Sequence, residues 1–145
     1  SRKPDWMYFL RAESFYNVAT KEMEYSGVFS ERYHDQSHGQ SFFSVLMKQT
    51  NKNGLYLLDE PEAALSCQNQ LALLYLIQSC VKQNCQFIIA THSPILLGFP
   101  GAQILSFDED KVEEVDYKFT SSYQTMKLFF DRYDYFVEDI KENEI

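Results

Sequence analysis

The stretch GLYLLDEPEAALS, Gly54 to Ser66, sets the fold of this 145-residue chain. Four apolar residues, Leu55 to Leu58, run into two adjacent carboxylates, Asp59 and Glu60, and then directly into Pro61. An uninterrupted apolar run bounded by turn residues is expected of a strand in a parallel sheet covered on both faces. Pro61 disfavours helical geometry at Glu60, so the strand is expected to leave the sheet extended and then turn. Ligands of open α/β sheets sit beyond the carboxyl ends of the strands, where Asp59 and Glu60 fall. Two neighbouring acids repel and lose hydration there, and a divalent cation would relieve both costs. Asp59 would hold Mg²⁺ directly or through water, and Glu60, facing the other way by strand alternation, would orient and deprotonate a water. An exposed acidic turn is the plain alternative.

Downstream, residues 67–83 read as a helix in which Leu71, Leu74, Ile77, Gln78 and Val81 keep helical spacing, widened by Leu73 and Leu76. Phe87 to Ala90 reads as a second buried strand, so strand, helix and strand form a βαβ unit. That strand runs on into ATHSP, residues 90–94. Ser93 is a natural N-cap and Pro94 suits a first helical position, which puts His92 at the strand's carboxyl edge. Beside the acid pair, His92 reads as a polar contact to a transferred phosphoryl group. Upstream, QSHGQS (residues 36–41) sits in a polar loop before a helix expected over Phe42–Lys48. Ser37 offers a hydroxyl, Gly39 an open backbone N–H, and the helix a positive end, which together suit an anion.

Elsewhere, Trp6–Leu10 suits a short strand and Phe15–Glu24 a helix capped by Ser14. Ile104–Phe107 and Val112–Tyr117 flank DEDK as a hairpin. Ser121 with Gln124 reads as a capping box, followed by Met126, Phe129, Phe130 and Tyr133 at helical spacing, a stripe expected to pack into a core. The acidic tail, residues 138–145, is expected to fray.

The balance of 13 basic against 21 acidic residues, net charge −8, argues against nucleic-acid binding by bulk electrostatics. The 3 cysteines, Cys67, Cys80 and Cys85, lack C-x-x-C spacing and read as buried or half-buried thiols in a reducing cytosol. No apolar run reaches the roughly 18 residues of a membrane span.

Taken in order, QSHGQS, LYLLDEPEAALS and ATHS resemble the signature loop, Walker B with D-loop, and switch-histidine loop of ABC-type ATPases. His38 replaces the usual first glycine of the signature. DEPEAALS, QFIIATHSPILL and FLRAESFYNVAT look closer to soluble RecF- and SMC-like ATPases than to a transporter's nucleotide-binding subunit, and FLRAES would fall near the Q-loop, with Glu13 or Ser14 near the metal. The resemblance implies an α/β, partial P-loop NTPase fold with a parallel sheet core flanked by helices, and a β-hairpin and helices at the C-terminus. It implies ATP and Mg²⁺ as cofactors, Glu60 as general base, His92 as its catalytic partner and Asp59 as the metal-side carboxylate. Ser37, His38, Gly39 and Gln40 would bind the nucleotide of a second subunit, and Ala63, Ala64, Leu65 and Ser66 would touch that subunit. The implied assembly is a homodimer closed head to tail around ATP, in the cytoplasm, with a nucleic-acid or protein client unspecified.

The 5 glycines form no G-x-x-x-x-G-K-[ST] motif, and no Gly-Lys pair occurs. The whole chain, residues 1–145, is therefore expected to be the C-terminal portion of one ATPase domain, inactive alone for want of a phosphate cradle. A non-catalytic half-module and an ABC transporter ATP-binding subunit are the alternatives.

Overall fold

The computed structural model describes residues 3–12 and 53–143 of the chain. The signature-like loop at 36–41, the helices expected over 15–24 and 42–48, and the Q-loop position at Glu13 and Ser14 lie outside the described residues. The chain divides into two compact units, Ser1–Leu96 and Leu97–Ile145.

The first unit is built on three parallel strands, β1 (Trp6–Arg11), β2 (Gly54–Asp59) and β3 (Gln86–Ala90), in the order β1-β2-β3. The apolar run of the opening stretch is thus a strand paired on both sides, and the chain has the α/β fold expected of a partial P-loop NTPase. Register places Trp6, Tyr8 and Leu10 across from Gly54, Tyr56 and Leu58, with Phe87 and Ile89 beyond Tyr56 and Leu58. This face carries the core: Tyr56 and Leu58 are fully buried, and Tyr56 stacks on Phe87 at 4.7 Å while meeting Trp6 edge-on at 5.6 Å. The other face differs from the expected two-sided cover. Met7, Phe9 and Ile88 are 60%, 58% and 54% exposed, since the described helix of this unit leaves them uncovered.

That helix, α1 (Cys67–Val81), connects β2 to β3 and packs against β3. Its buried face is Gln70, Leu73, Ile77 and Cys80, spaced three or four apart. This stripe is displaced by about one position from the expected one: Leu71 is 51% and Val81 42% exposed. The helix is apolar nearly all round, so sequence periodicity alone does not mark the side that meets the sheet. Ser66 caps its start by accepting from the Asn69 N–H at 3.2 Å. Its end is a Schellman turn. Asn84 takes a left-handed φ of 62°, the Cys85 N–H donates to the Cys80 carbonyl at 3.1 Å, and the Asn84 N–H donates to the Val81 carbonyl at 3.0 Å. Cys80 and Cys85 are buried, whereas Cys67 is exposed at the helix start, contrary to its expected burial.

In the second unit, β4 (Leu105–Ser106) and β5 (Glu113–Glu114) pair antiparallel. The ladder is shorter than the expected hairpin because Asp108–Asp110 forms a 3₁₀ turn with Glu109 left-handed at φ 57°. Helix α2 (Ser121–Asp131) is capped one residue earlier than expected, by Thr120, whose hydroxyl accepts from the Tyr123 N–H at 3.3 Å. Thr120 also donates to the Tyr117 carbonyl at 2.7 Å, which anchors the cap to the preceding turn. The chain kinks at Arg132 into α3 (Tyr133–Glu142), so most of the tail expected to fray is helical, closed by the Asn143 amide on the Asp139 carbonyl at 2.9 Å. Phe129 meets Phe130, Tyr133 and Phe136 at 5.9, 5.7 and 5.9 Å, yet Phe130 and Tyr133 remain 65% and 55% exposed. The aromatic stripe expected in a core packs mainly on itself. No described helix is long and apolar enough to cross a membrane.

Candidate functional site

The carboxyl ends of β1, β2 and β3 form one rim of the sheet, and the polar residues of the opening stretch gather there. Arg11, Asp59 and Ala90 are in register across the three strands. The ladder continues one step further, because the Glu60 N–H donates to the Ala90 carbonyl at 2.8 Å. His92 comes two residues later, and its Nε2 lies 3.8 Å from Glu60 Oε1, within ion-pair range and too long for a hydrogen bond. Both side chains face solvent, at 88% and 58% exposure.

Glu60 differs from the expected extended residue. It adopts a left-handed conformation, φ 47° and ψ 53°, as the cap of a 3₁₀ turn over Pro61–Ala64. Pro61 disfavours the right-handed helical region at Glu60, and the chain satisfies that restriction by the left-handed region instead of the β region. Strand alternation would have aimed Glu60 at the face of Tyr56 and Leu58. The left-handed turn puts it outside, beside His92. Such a conformation costs a non-glycine residue on the order of 1 kcal/mol and recurs where function constrains the backbone.

Asp59 has a partner that the sequence does not disclose. Arg11 Nε donates to its Oδ2 at 3.0 Å, so the Asp59 carboxylate is compensated by a protein cation. Ala63 is exposed, Ala64 and Leu65 are buried, and Ser66 is the exposed cap of α1. Thus only the two ends of the expected partner-facing segment 63–66 present themselves to solvent.

Three further residues, Glu62, Thr91 and Gln70, shape the site without having been singled out by their sequence context. Glu62 Oε1 accepts from the His92 backbone N–H at 2.9 Å, and its Oε2 from the Thr91 hydroxyl at 2.7 Å. Thr91 Oγ1 in turn accepts from the Ser93 N–H at 3.0 Å. Ser93 does act as a cap, accepting from the Ile95 and Leu96 N–H groups at 3.2 and 3.1 Å, although the residues after it form a turn and a 3₁₀ segment instead of an α-helix. Its hydroxyl donates to Gln70 Oε1, and Gln70 Nε2 donates to the Leu65 carbonyl at 3.2 Å. A buried glutamine on the apolar face of α1 is the sequence signal for this link; Glu62 offers none, since acidic residues after Pro are common in first turns.

Among the described residues no cluster of three acidic, histidine or cysteine side chains forms a ready cation cage. A single carboxylate still suits Mg²⁺, which keeps several waters and takes its remaining ligands from phosphate oxygens. Asp59 is a partly exposed carboxylate at a strand end, with its Oδ2 held by Arg11. A cavity of about 450 Å³ lined by Lys3, Asp5, Asn53, Asn84 and Gln86 lies at the opposite rim and contributes nothing here.

A family model matches this same segment. The model of the AAA ATPase domain matches residues 36–97, which contain the rim residues from Asp59 to Ser93 but not Arg11. The chain is similar to P-loop ATPases of the ABC type. A Haemophilus influenzae protein named an uncharacterized ABC transporter ATP-binding protein is 30% identical over 93 residues. That alignment covers 63% of this chain and 35% of the relative, so the chain spans about a third of the relative's length. In this ATPase-like chain, the segment from Gly54 to Ser93 brings strand end, 3₁₀ turn, α1 and post-β3 loop to a single edge.

Proposed function

We propose that the chain supplies the water-activating side of an ATP-hydrolysing site. The observation that carries this reading is the convergence of Asp59, Glu60 and His92 at the carboxyl rim of a parallel sheet. Asp59 would hold Mg²⁺, directly or through water, beside the nucleotide. Glu60 accepts the proton of the attacking water, a role that contributes roughly 10²–10⁴-fold in rate. His92, at the tip of its loop, contacts the transferred phosphoryl group and orients that water. Magnesium supplies neutralisation of phosphate charge when bound.

The finer reading comes from the resemblance. Ser37, His38, Gly39 and Gln40 serve the nucleotide of a second subunit, Ala63–Ser66 touches that subunit, and the pair closes head to tail on ATP. Glycine-lysine phosphate binding is missing from the 145 residues, so the chain by itself is proposed to be inactive. Purified protein expressed from the complete natural reading frame is expected to hydrolyse ATP only with Mg²⁺, and Asp59→Asn is expected to raise the magnesium concentration needed for half-maximal turnover. Turnover by the 145-residue chain, or magnesium dependence unchanged by Asp59→Asn, would contradict it.

A second, non-catalytic reading draws on Arg11, whose guanidinium compensates the Asp59 carboxylate. It predicts that the protein binds no nucleotide and that Arg11→Ala changes only stability. The name of the Haemophilus influenzae relative favours, as a third assignment, an ABC transporter ATP-binding subunit, for which co-sedimentation with membranes is the test.

A further inference from the structure

We propose that Glu62 is a positioning residue that fixes His92 beside Glu60; the functional consequence rests on the ATPase reading, the positioning itself does not. The Glu62 carboxylate uses one oxygen on the His92 backbone N–H at 2.9 Å and the other on the Thr91 hydroxyl at 2.7 Å. Its own backbone belongs to the 3₁₀ turn that begins at the left-handed Glu60. A single side chain therefore spans from the turn carrying the acid to the loop carrying the imidazole. Bonds to an ionised acceptor are the stronger kind, and this carboxylate makes two that diverge onto adjacent residues, which fixes the loop in direction as well as distance.

A second strap reinforces the first. Gln70 joins the Leu65 carbonyl to the Ser93 hydroxyl, so the segment Glu62–Leu65 is tied to the loop Thr91–Leu96 at both ends. Among the described residues the His92 imidazole has no comparable restraint of its own: it is 88% exposed, and Glu60 at 3.8 Å is beyond hydrogen-bond range. Its place is set through its backbone, and the group that holds that backbone is Glu62. Because Ala63 adjoins Glu62, a subunit that displaces Ala63–Ser66 also displaces His92, which gives the proposed dimer a direct route from contact to chemistry.

The test has two arms. In the nucleotide-free chain, amide exchange followed by NMR is expected to accelerate roughly tenfold at His92 in Glu62→Ala, with β2 unchanged. Glu62→Gln, which keeps one acceptor, is expected to fall between, and Thr91→Ser to behave as wild type. In the protein from the complete reading frame, Glu62→Ala is expected to lower kcat roughly tenfold while the KM for ATP stays within about twofold, the split expected when a group acts only on the chemical step. Exchange at His92 unchanged in both Glu62→Ala and Glu62→Gln overturns the proposal. So does an unchanged kcat in Glu62→Ala where Glu60→Gln abolishes turnover. If wild-type protein shows no turnover, the ATPase reading fails and the exchange arm alone decides whether Glu62 positions His92. Should Glu62→Ala lose its fold by circular dichroism, Glu62→Gln and Thr91→Val carry the same comparison.

Discussion

Arg11 and Asp59 show how little a close ion pair contributes when water surrounds it. Their 3.0 Å contact joins side chains that are 54% and 35% exposed, so high dielectric and side-chain entropy offset most of the attraction. Arg11→Ala is expected to change unfolding free energy by less than about 1 kcal/mol in urea titration. Under the ATPase reading it also frees an oxygen of Asp59, and magnesium demand should fall. Cysteines separate by burial at the same scale. Cys67 is exposed, while burial and then the neighbouring Cys85 push the Cys80 thiol above its ordinary value of 9.0. A raised folded-state value favours the protonated thiol, so its stabilising share is complete below pH 9.0 and is lost as pH rises through the raised value. At pH 8, iodoacetamide should label Cys67 in the folded chain well before Cys80, as peptide mapping would show; equal labelling would mean that α1 opens freely.

Helix α1 is the element in which sequence and structure part most instructively. Its existence, its start at residue 67 and its place between two strands were legible, because length, helical spacing and flanking apolar runs are local signals. The Ser66 cap was not singled out. The face it buries was not legible, since leucines occur all round and only the sheet decides which are covered. Leu73→Ala should therefore cost about 2–5 kcal/mol, and Leu71→Ala less than about 1 kcal/mol, by chemical denaturation; equal costs would restore the face expected from periodicity. Asn84→Ala should cost about 1 kcal/mol, because alanine resists the left-handed φ of 62° that closes the helix, whereas Asn84→Gly should be tolerated. Strand β2 was legible from four apolar residues ending in acids. The left-handed turn at Glu60 was not, because the restriction before proline leaves two backbone regions open and tertiary contacts choose between them. Arg11 and Glu62 act on residues 48 and 30 positions away, at Asp59 and His92, a separation that local patterns do not encode.

Across the whole chain, net charge and exposed apolar surface oppose each other. Met7, Phe9 and Ile88 on one sheet face and Phe130, Tyr133 and Tyr135 in the second unit are exposed, while a charge of −8 keeps copies apart near neutrality. Light scattering should accordingly rise as pH approaches the isoelectric point near 4.8, and added salt at pH 7 should promote association by screening. The ATPase assignment rests on the rim shared by three strands, and one measurement addresses it most directly: ATP turnover by Glu60→Gln protein from the complete reading frame, with ATP binding followed in parallel. Turnover should fall at least about a hundredfold while ATP binding persists, as expected for loss of a general base; wild-type turnover in the Glu60→Gln protein would contradict the role of this rim in hydrolysis.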